Sequence, residues 1–119
     1  FVGVTMFAPF LKNGIDSTIE DYVEAIEYIY NIVGEDSIGI GTDFTQGQDQ
    51  NFFEYLTHDK GYARRLTRFG KIINPEGIRT VGEFPNLTEA LLRRGFSETQ
   101  VRKIMGENWV TLLKDVWGA

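Results

Sequence analysis

The stretch Ser37-Ile-Gly-Ile-Gly-Thr-Asp-Phe44 decides the fold. It is short, apolar and free of charge until its last acidic residue, as expected of a strand buried on both faces in a parallel sheet. Gly39 and Gly41 leave no side chain where they sit, which weakens a strand unless something packs close to it. Upstream, Ser17 and Glu20 form a capping-box pattern. Ile19, Tyr22, Val23, Ile26, Ile29, Tyr30 and Val33 then recur at helical spacings of three and four. Glu20, Asp21, Glu24 and Glu27 crowd the first half, where the helix dipole favours acids, and Gly34 is a natural stop. Further back, Phe1-Val-Gly-Val-Thr-Met-Phe-Ala-Pro-Phe-Leu11 holds eight apolar residues and reads as another buried strand, its ladder ending at Pro9. Residues 1–44 therefore spell strand–helix–strand, the length of a right-handed parallel crossover.

Downstream the pattern loosens. Residues 45–85 read as a loop-rich insertion, with a helical turn over Asn51–Leu56 and an irregular stretch from Ile72 to Pro85. Insertions at strand ends are often functional. Residues 86–119 are helical again. Asn86 caps a helix to Arg94, Gly95 ends it, and Ser97 with Gln100 opens the next. Gly106 interrupts before a last stretch rich in Trp109, Leu112, Leu113, Val116 and Trp117, a stripe that reads as core or interface.

Composition narrows the function. The 119 residues carry 42% hydrophobic residues and a net charge of −5, fitting one globular domain rather than disorder or a nucleic-acid reader. No apolar run is long enough to span a bilayer. With no Cys and a single His, His58, a Cys-ligated metal or a self-contained multi-His centre is excluded within these residues. The chain opens on Phe1 with no charged leader, unlike a signal peptide, and reads as a piece of something longer. Cytoplasmic and exported locations both stay open.

Asp43 is the leading candidate for chemistry. Parallel strands deliver ligands to their carboxyl ends, where a carboxylate serves as general base or metal ligand; the plainer alternative is a turn-capping Asp. Arg64, Arg65 and Arg68, with Lys71, form a basic cluster that could fork a carboxylate or phosphate, although a solvated helix face is the commoner role. His58, beside Asp59 and Lys60, reads as a surface residue. The tail resembles a helix-turn-helix only in outline, since its later helices carry Glu98, Glu107 and Asp115. Gly39-Ile-Gly41 lacks the third Gly of a dinucleotide fingerprint and the Lys of a P-loop.

At Ser37–Phe44 the sequence resembles a strand of the membrane (renal) dipeptidase family of zinc metallopeptidases. The closing segment is similar too, from Phe84-Pro-Asn-Leu-Thr88 through Leu91-Leu-Arg-Arg-Gly-Phe-Ser97 to Val101-Arg-Lys-Ile-Met-Gly-Glu-Asn108. So is the opening Val2-Gly-Val-Thr-Met-Phe7 with Pro9, Phe10 and Leu11. The resemblance implies an α/β fold, the C-terminal part of a (β/α)8 TIM barrel of amidohydrolase type. Its last two parallel strands and crossover helix would be followed by closing helices. It implies hydrolysis of dipeptides with two zinc ions sharing a carboxylate and a bridging water. The metal ligands and the substrate-carboxylate Arg would lie on earlier strands outside this chain, leaving no metal ligand here. Asp43 matches the family's acidic residue on the last strand, which orients and deprotonates the water and returns the proton to the leaving amine. Departures are Thr45-Gln46-Gly47 where the family has Asp-Gly, Ala8 where an aromatic is expected, and Gln46–Lys71, which has no counterpart. The implied partners are a dipeptide and the missing part of the barrel, with no nucleic acid; a homodimer is compatible. The isolated piece is expected to be inactive. Rival readings are a catalytically dead dipeptidase-like scaffold and a stand-alone helical interaction module.

Overall fold

A computed structural model of the chain describes residues 1–44, 47–58 and 72–118. Its sheet has two parallel strands, β1 (Val2–Val4) and β2 (Ile38–Ile40), in register Val2↔Ile38, Gly3↔Gly39 and Val4↔Ile40. The helix α1 (Ile19–Val33) connects them. Then follow α2 (Gln50–Leu56), α3 (Asn86–Arg94), α4 (Glu98–Arg102), a π turn over Lys103–Glu107 and α5 (Asn108–Trp117).

The helical spacing of α1 becomes its buried face. Ile19, Tyr22, Val23 and Ile26 meet Val4 and Ile38 of the strands, Leu87, Ala90 and Leu91 of α3, and Val101 and Ile104 beyond. Each large side chain fully buried there contributes about 1.5–3 kcal/mol. Tyr22 brings a hydroxyl into this core, and it donates to the Val4 carbonyl at 2.7 Å. Burial pushes the Tyr22 phenol well above its ordinary pKa, so the group stays a neutral donor. The acidic face of α1 is also used: Glu20 pairs with Arg93 and Glu27 with Arg94 at the end of α3.

Three expectations shift. The cap of α1 lies one residue later than the Ser17–Glu20 pattern predicts. Thr18 is the N-cap, and its backbone N–H donates to the Asp21 carboxylate at 2.8 Å. Ser17 is buried instead, and its carbonyl accepts from the Glu76 N–H at 2.9 Å while Ile19 N–H donates to the Glu76 carbonyl at 2.7 Å. That bridge from a distant segment draws Ser17 out of the capping role. Both strands are shorter than the apolar runs. β1 ends at Val4 and the chain coils through a 3-10 turn at Ala8–Phe10, so β2 loses its partner after Ile40. Asn86 does not cap α3: Pro85 holds the N-cap position, and the Asn86 amide donates to the Gly77 carbonyl at 2.9 Å. The stretch 72–85 is irregular but built in, with Pro75 and Ile78 fully buried.

The tail follows the pattern more closely. Gly95 closes α3 at φ 106, a left-handed conformation that costs glycine little. Ser97 and Gln100 form the expected reciprocal box, with Ser97 N–H donating to Gln100 Oε1 at 2.8 Å and Gln100 N–H to Ser97 Oγ at 3.3 Å. The aromatic stripe divides: Trp109 is half-buried against the sheet, whereas Trp117 is 76% exposed. Among the described residues no helix is long and apolar enough to cross a membrane.

Candidate functional site

The site is built at the carboxyl end of β2. Ser37 and Gly41 face β1: the Val2 N–H donates to the Ser37 carbonyl at 2.9 Å and the Gly41 N–H to the Val4 carbonyl at 3.0 Å. Strand alternation then turns the carbonyls of Ile38 and Ile40 to the opposite edge. There they meet side chains in place of a strand. Asn108 Nδ2 donates to the Ile38 carbonyl at 2.8 Å and to the Glu35 carbonyl at 2.7 Å, and Trp109 Nε1 donates to the Ile40 carbonyl at 2.9 Å. Asn108 is buried, so both of its contacts count for more than surface ones.

Gly39 explains how an indole comes so near a strand. A Cβ on Gly39 would lie 2.5 Å from Trp109 Nε1 and 2.7 Å from Cδ1, inside any permitted contact. The missing side chain is the slot the ring occupies. Phe1 packs on the same indole with ring centroids 4.6 Å apart.

Past Ile40 the chain carries the predicted residue into the open. Asp43 is exposed, and among the described residues nothing donates to its carboxylate. Its φ is 56, the one positive value at a non-glycine among the described residues. Such a conformation is uncommon for a side-chain-bearing residue, tolerated best by Asn and Asp, and concentrated at functional positions. Its neighbours are anchored on both sides. Gly41 is bonded to β1, and the half-buried Phe44 ring stands edge-on to Phe84 at 6.5 Å. Asp43 is therefore held out from the strand end by residues that are themselves fixed.

The other candidates do not join it. His58 is exposed just beyond α2, and its backbone N–H donates to the Tyr55 carbonyl at 3.3 Å. Arg64, Arg65 and Arg68, with Lys71, lie outside the described residues. No group of three or more His, Asp or Glu side chains that could hold a metal ion converges among the described residues. The side chains described here thus do not fit a metal centre of their own. Two residues bonded along the free edge of β2, Asn108 toward its amino end and Trp109 at its carboxyl end, escape a reading by local pattern. The signal for Trp109 is Gly39, whose missing side chain in β2 asks for a flat partner from elsewhere in the chain.

A parallel strand–helix–strand unit that presents a free carboxylate beyond a strand's carboxyl end is the layout of an α/β enzyme segment. The sequence matches the membrane dipeptidase family (peptidase family M19) over residues 1–68 and 66–118, and the chain belongs to that family. It is 29% identical over 112 residues to dipeptidase tcpJ of Claviceps purpurea, covering 92% of this chain and 21% of that protein. It is 32% identical over 94 residues to dipeptidase ataJ of Aspergillus terreus, covering 79% of this chain and 17% of that protein. Among solved structures, an amidohydrolase from Pseudomonas aeruginosa is similar over the whole chain, with 79% identity and a TM-score of 0.95, and the match covers 37% of that protein. A dipeptidase described as a metallopeptidase of family M19 is similar with 25% identity and a TM-score of 0.70, again over the whole chain and over 29% of its own length. The chain thus spans about a fifth of the length of the two curated dipeptidases and about a third of the two solved structures.

Proposed function

We infer that this chain is the carboxyl-terminal part of a zinc-dependent dipeptidase. In that reading residues 1–44 are the last two strands and crossover helix of a (β/α)8 barrel. Residues 45–85 are a loop-rich insertion, and residues 86–119 are its closing helices. A whole barrel needs roughly 250 residues, so most of the scaffold comes from outside this chain. Two zinc ions would be held by side chains of that remaining part and would supply Lewis acidity toward the scissile carbonyl.

What this chain supplies is Asp43. Its carboxylate takes a proton from water as the oxygen adds to the peptide carbonyl carbon. It then delivers that proton to the amine nitrogen as the C–N bond breaks, and the carboxylate is regenerated. The observation that carries the reading is the position of Asp43: exposed, without a partner among the described residues, and held in a left-handed conformation just past a parallel strand, in a chain of the dipeptidase family. Proton transfer by one positioned side chain contributes about 100- to 10,000-fold.

The test is dipeptide hydrolysis by the full-length enzyme carrying this segment. Chelation is expected to abolish turnover and zinc to restore it, while Asp43→Asn lowers kcat by at least about 100-fold. Turnover near that of the parent in Asp43→Asn would remove the assigned role. The 119-residue chain by itself is expected to show no activity, because it lacks the metal-holding strands.

A further inference from the structure

We propose that Trp109 is a positioning residue for the hydrolytic reaction, acting through the end of β2 on Asp43; this rests on the role given to Asp43 above. The strand end is held at two successive residues from opposite edges. On one edge the Gly41 N–H bonds the Val4 carbonyl at 3.0 Å. On the other, the Trp109 indole N–H bonds the Ile40 carbonyl at 2.9 Å. Asp43 follows within three residues and has no side-chain partner among the described residues, so its place there is set by its backbone. Removing one of the two restraints leaves Asp43 held only by the other and by Phe44 against Phe84, so the segment between them can shift.

The indole is itself fixed in a way that suits this task. It is lodged in the gap left by Gly39, backed by Phe1, and preceded by Asn108, whose amide holds the Glu35 and Ile38 carbonyls. The N–H is the only polar group of the Trp side chain, and it points at the last carbonyl of β2. A side chain that merely filled space at this spot would need the ring but not the donor. A displacement of about 1 Å at a reacting group can cost as much as about 100-fold in rate, so a modest pivot is enough to register.

The experiment uses the full-length enzyme and steady-state dipeptide hydrolysis. Trp109→Phe keeps an aromatic ring in the slot and removes the N–H. It is expected to lower kcat about tenfold with KM nearly unchanged. Gly39→Ala pushes the indole out of its slot and should give the same pattern, and the double variant should be no worse than the poorer single one. Circular dichroism and melting curves establish that each variant is folded; if Gly39→Ala does not fold, Trp109→Phe decides alone. Trp117→Phe, at an exposed position, serves as the control for loss of a tryptophan. The decisive arm is the Asp43→Asn background, where Trp109→Phe should add no further loss, because its effect runs through that carboxylate. An equal tenfold loss in that background, or a parent-like kcat for Trp109→Phe, overturns the proposal. Parent-like turnover of Asp43→Asn itself overturns the role of Asp43. A collapse of Asp43→Asn beside an unaffected Trp109→Phe overturns the positioning role and leaves the role of Asp43 standing.

Discussion

The two ends of β2 are built by opposite rules. Around its amino end side chains tie down the polar groups of the turn. Asn108 closes the Glu35 and Ile38 carbonyls, and Lys103 reaches Glu35 and Asp36 at 2.7 Å each. That pairing with two carboxylates raises the Lys103 pKa, so its ammonium stays charged throughout the ordinary range. At the carboxyl end, three residues past Ile40, Asp43 is exposed, with no partner for its carboxylate among the described residues and an uncommon backbone angle. One short strand thus separates contacts that hold the molecule together from a group left available for chemistry. In parallel α/β architectures the carboxyl ends of strands carry function and the amino ends carry stability.

Substitutions can break that division or sharpen it. The largest effect is expected at the open end. Asp43→Asn should remove at least about 100-fold of turnover in the full-length enzyme while moving the urea midpoint hardly at all. A large loss of stability with turnover intact would reverse the comparison. Next comes Asn108→Ala at the closed end, which takes the donor from the buried Ile38 carbonyl and from the part-buried Glu35 carbonyl. Urea unfolding should show a loss of about 2–3 kcal/mol, and turnover per folded molecule should fall far less than in Asp43→Asn. Tyr22→Phe keeps the ring in the core and removes one of the two donors to the Val4 carbonyl, which retains the Gly41 N–H, for a loss of about 1 kcal/mol by the same measurement.

The smallest effect concerns the exposed pairs between α1 and α3. The hydrogen bond from Arg94 holds the Glu27 carboxyl below its ordinary value of 4.5. A depressed carboxyl stabilises the folded state above the unfolded value, and the contribution fades as pH falls through the lowered one. Arg94→Gln should therefore lower the urea midpoint slightly at neutral pH, with the two proteins converging in acid. Both side chains are more than a third exposed, so solvent keeps the difference small. A gap that widened in acid would contradict the sign.

The legible parts of the fold were those set by local chemistry. The apolar spacing of Ile19, Tyr22, Val23 and Ile26 identifies α1 and its buried face, and Ser97, Gln100 and Gly95 mark helix ends whose bonds lie within a few residues. The misread parts were set from a distance. Ser17 fails as a cap because Glu76 claims its backbone, and Asn86 turns to Gly77. β2 stops at Ile40 because β1 has turned away, which an apolar run up to Phe44 cannot reveal. At the site, Asp43 is legible as an acid at a strand end. The clamp of Asn108 and Trp109 is not, since it joins residues about seventy apart through backbone carbonyls that carry no sequence signature.

The backbone angle at Asp43 also dictates how its carboxylate can be interrogated. With φ at 56, most side chains at this position would add conformational strain to any chemical change. Alanine would therefore confound loss of the carboxylate with movement of the turn, and glutamate would displace the acid and strain the backbone at once. Asparagine alone matches the shape, tolerates the left-handed conformation and cannot accept the proton. A residue chosen for its acidity is thus also fixed by its stereochemistry, and an alanine scan across this turn would overstate how much of the loss is chemical.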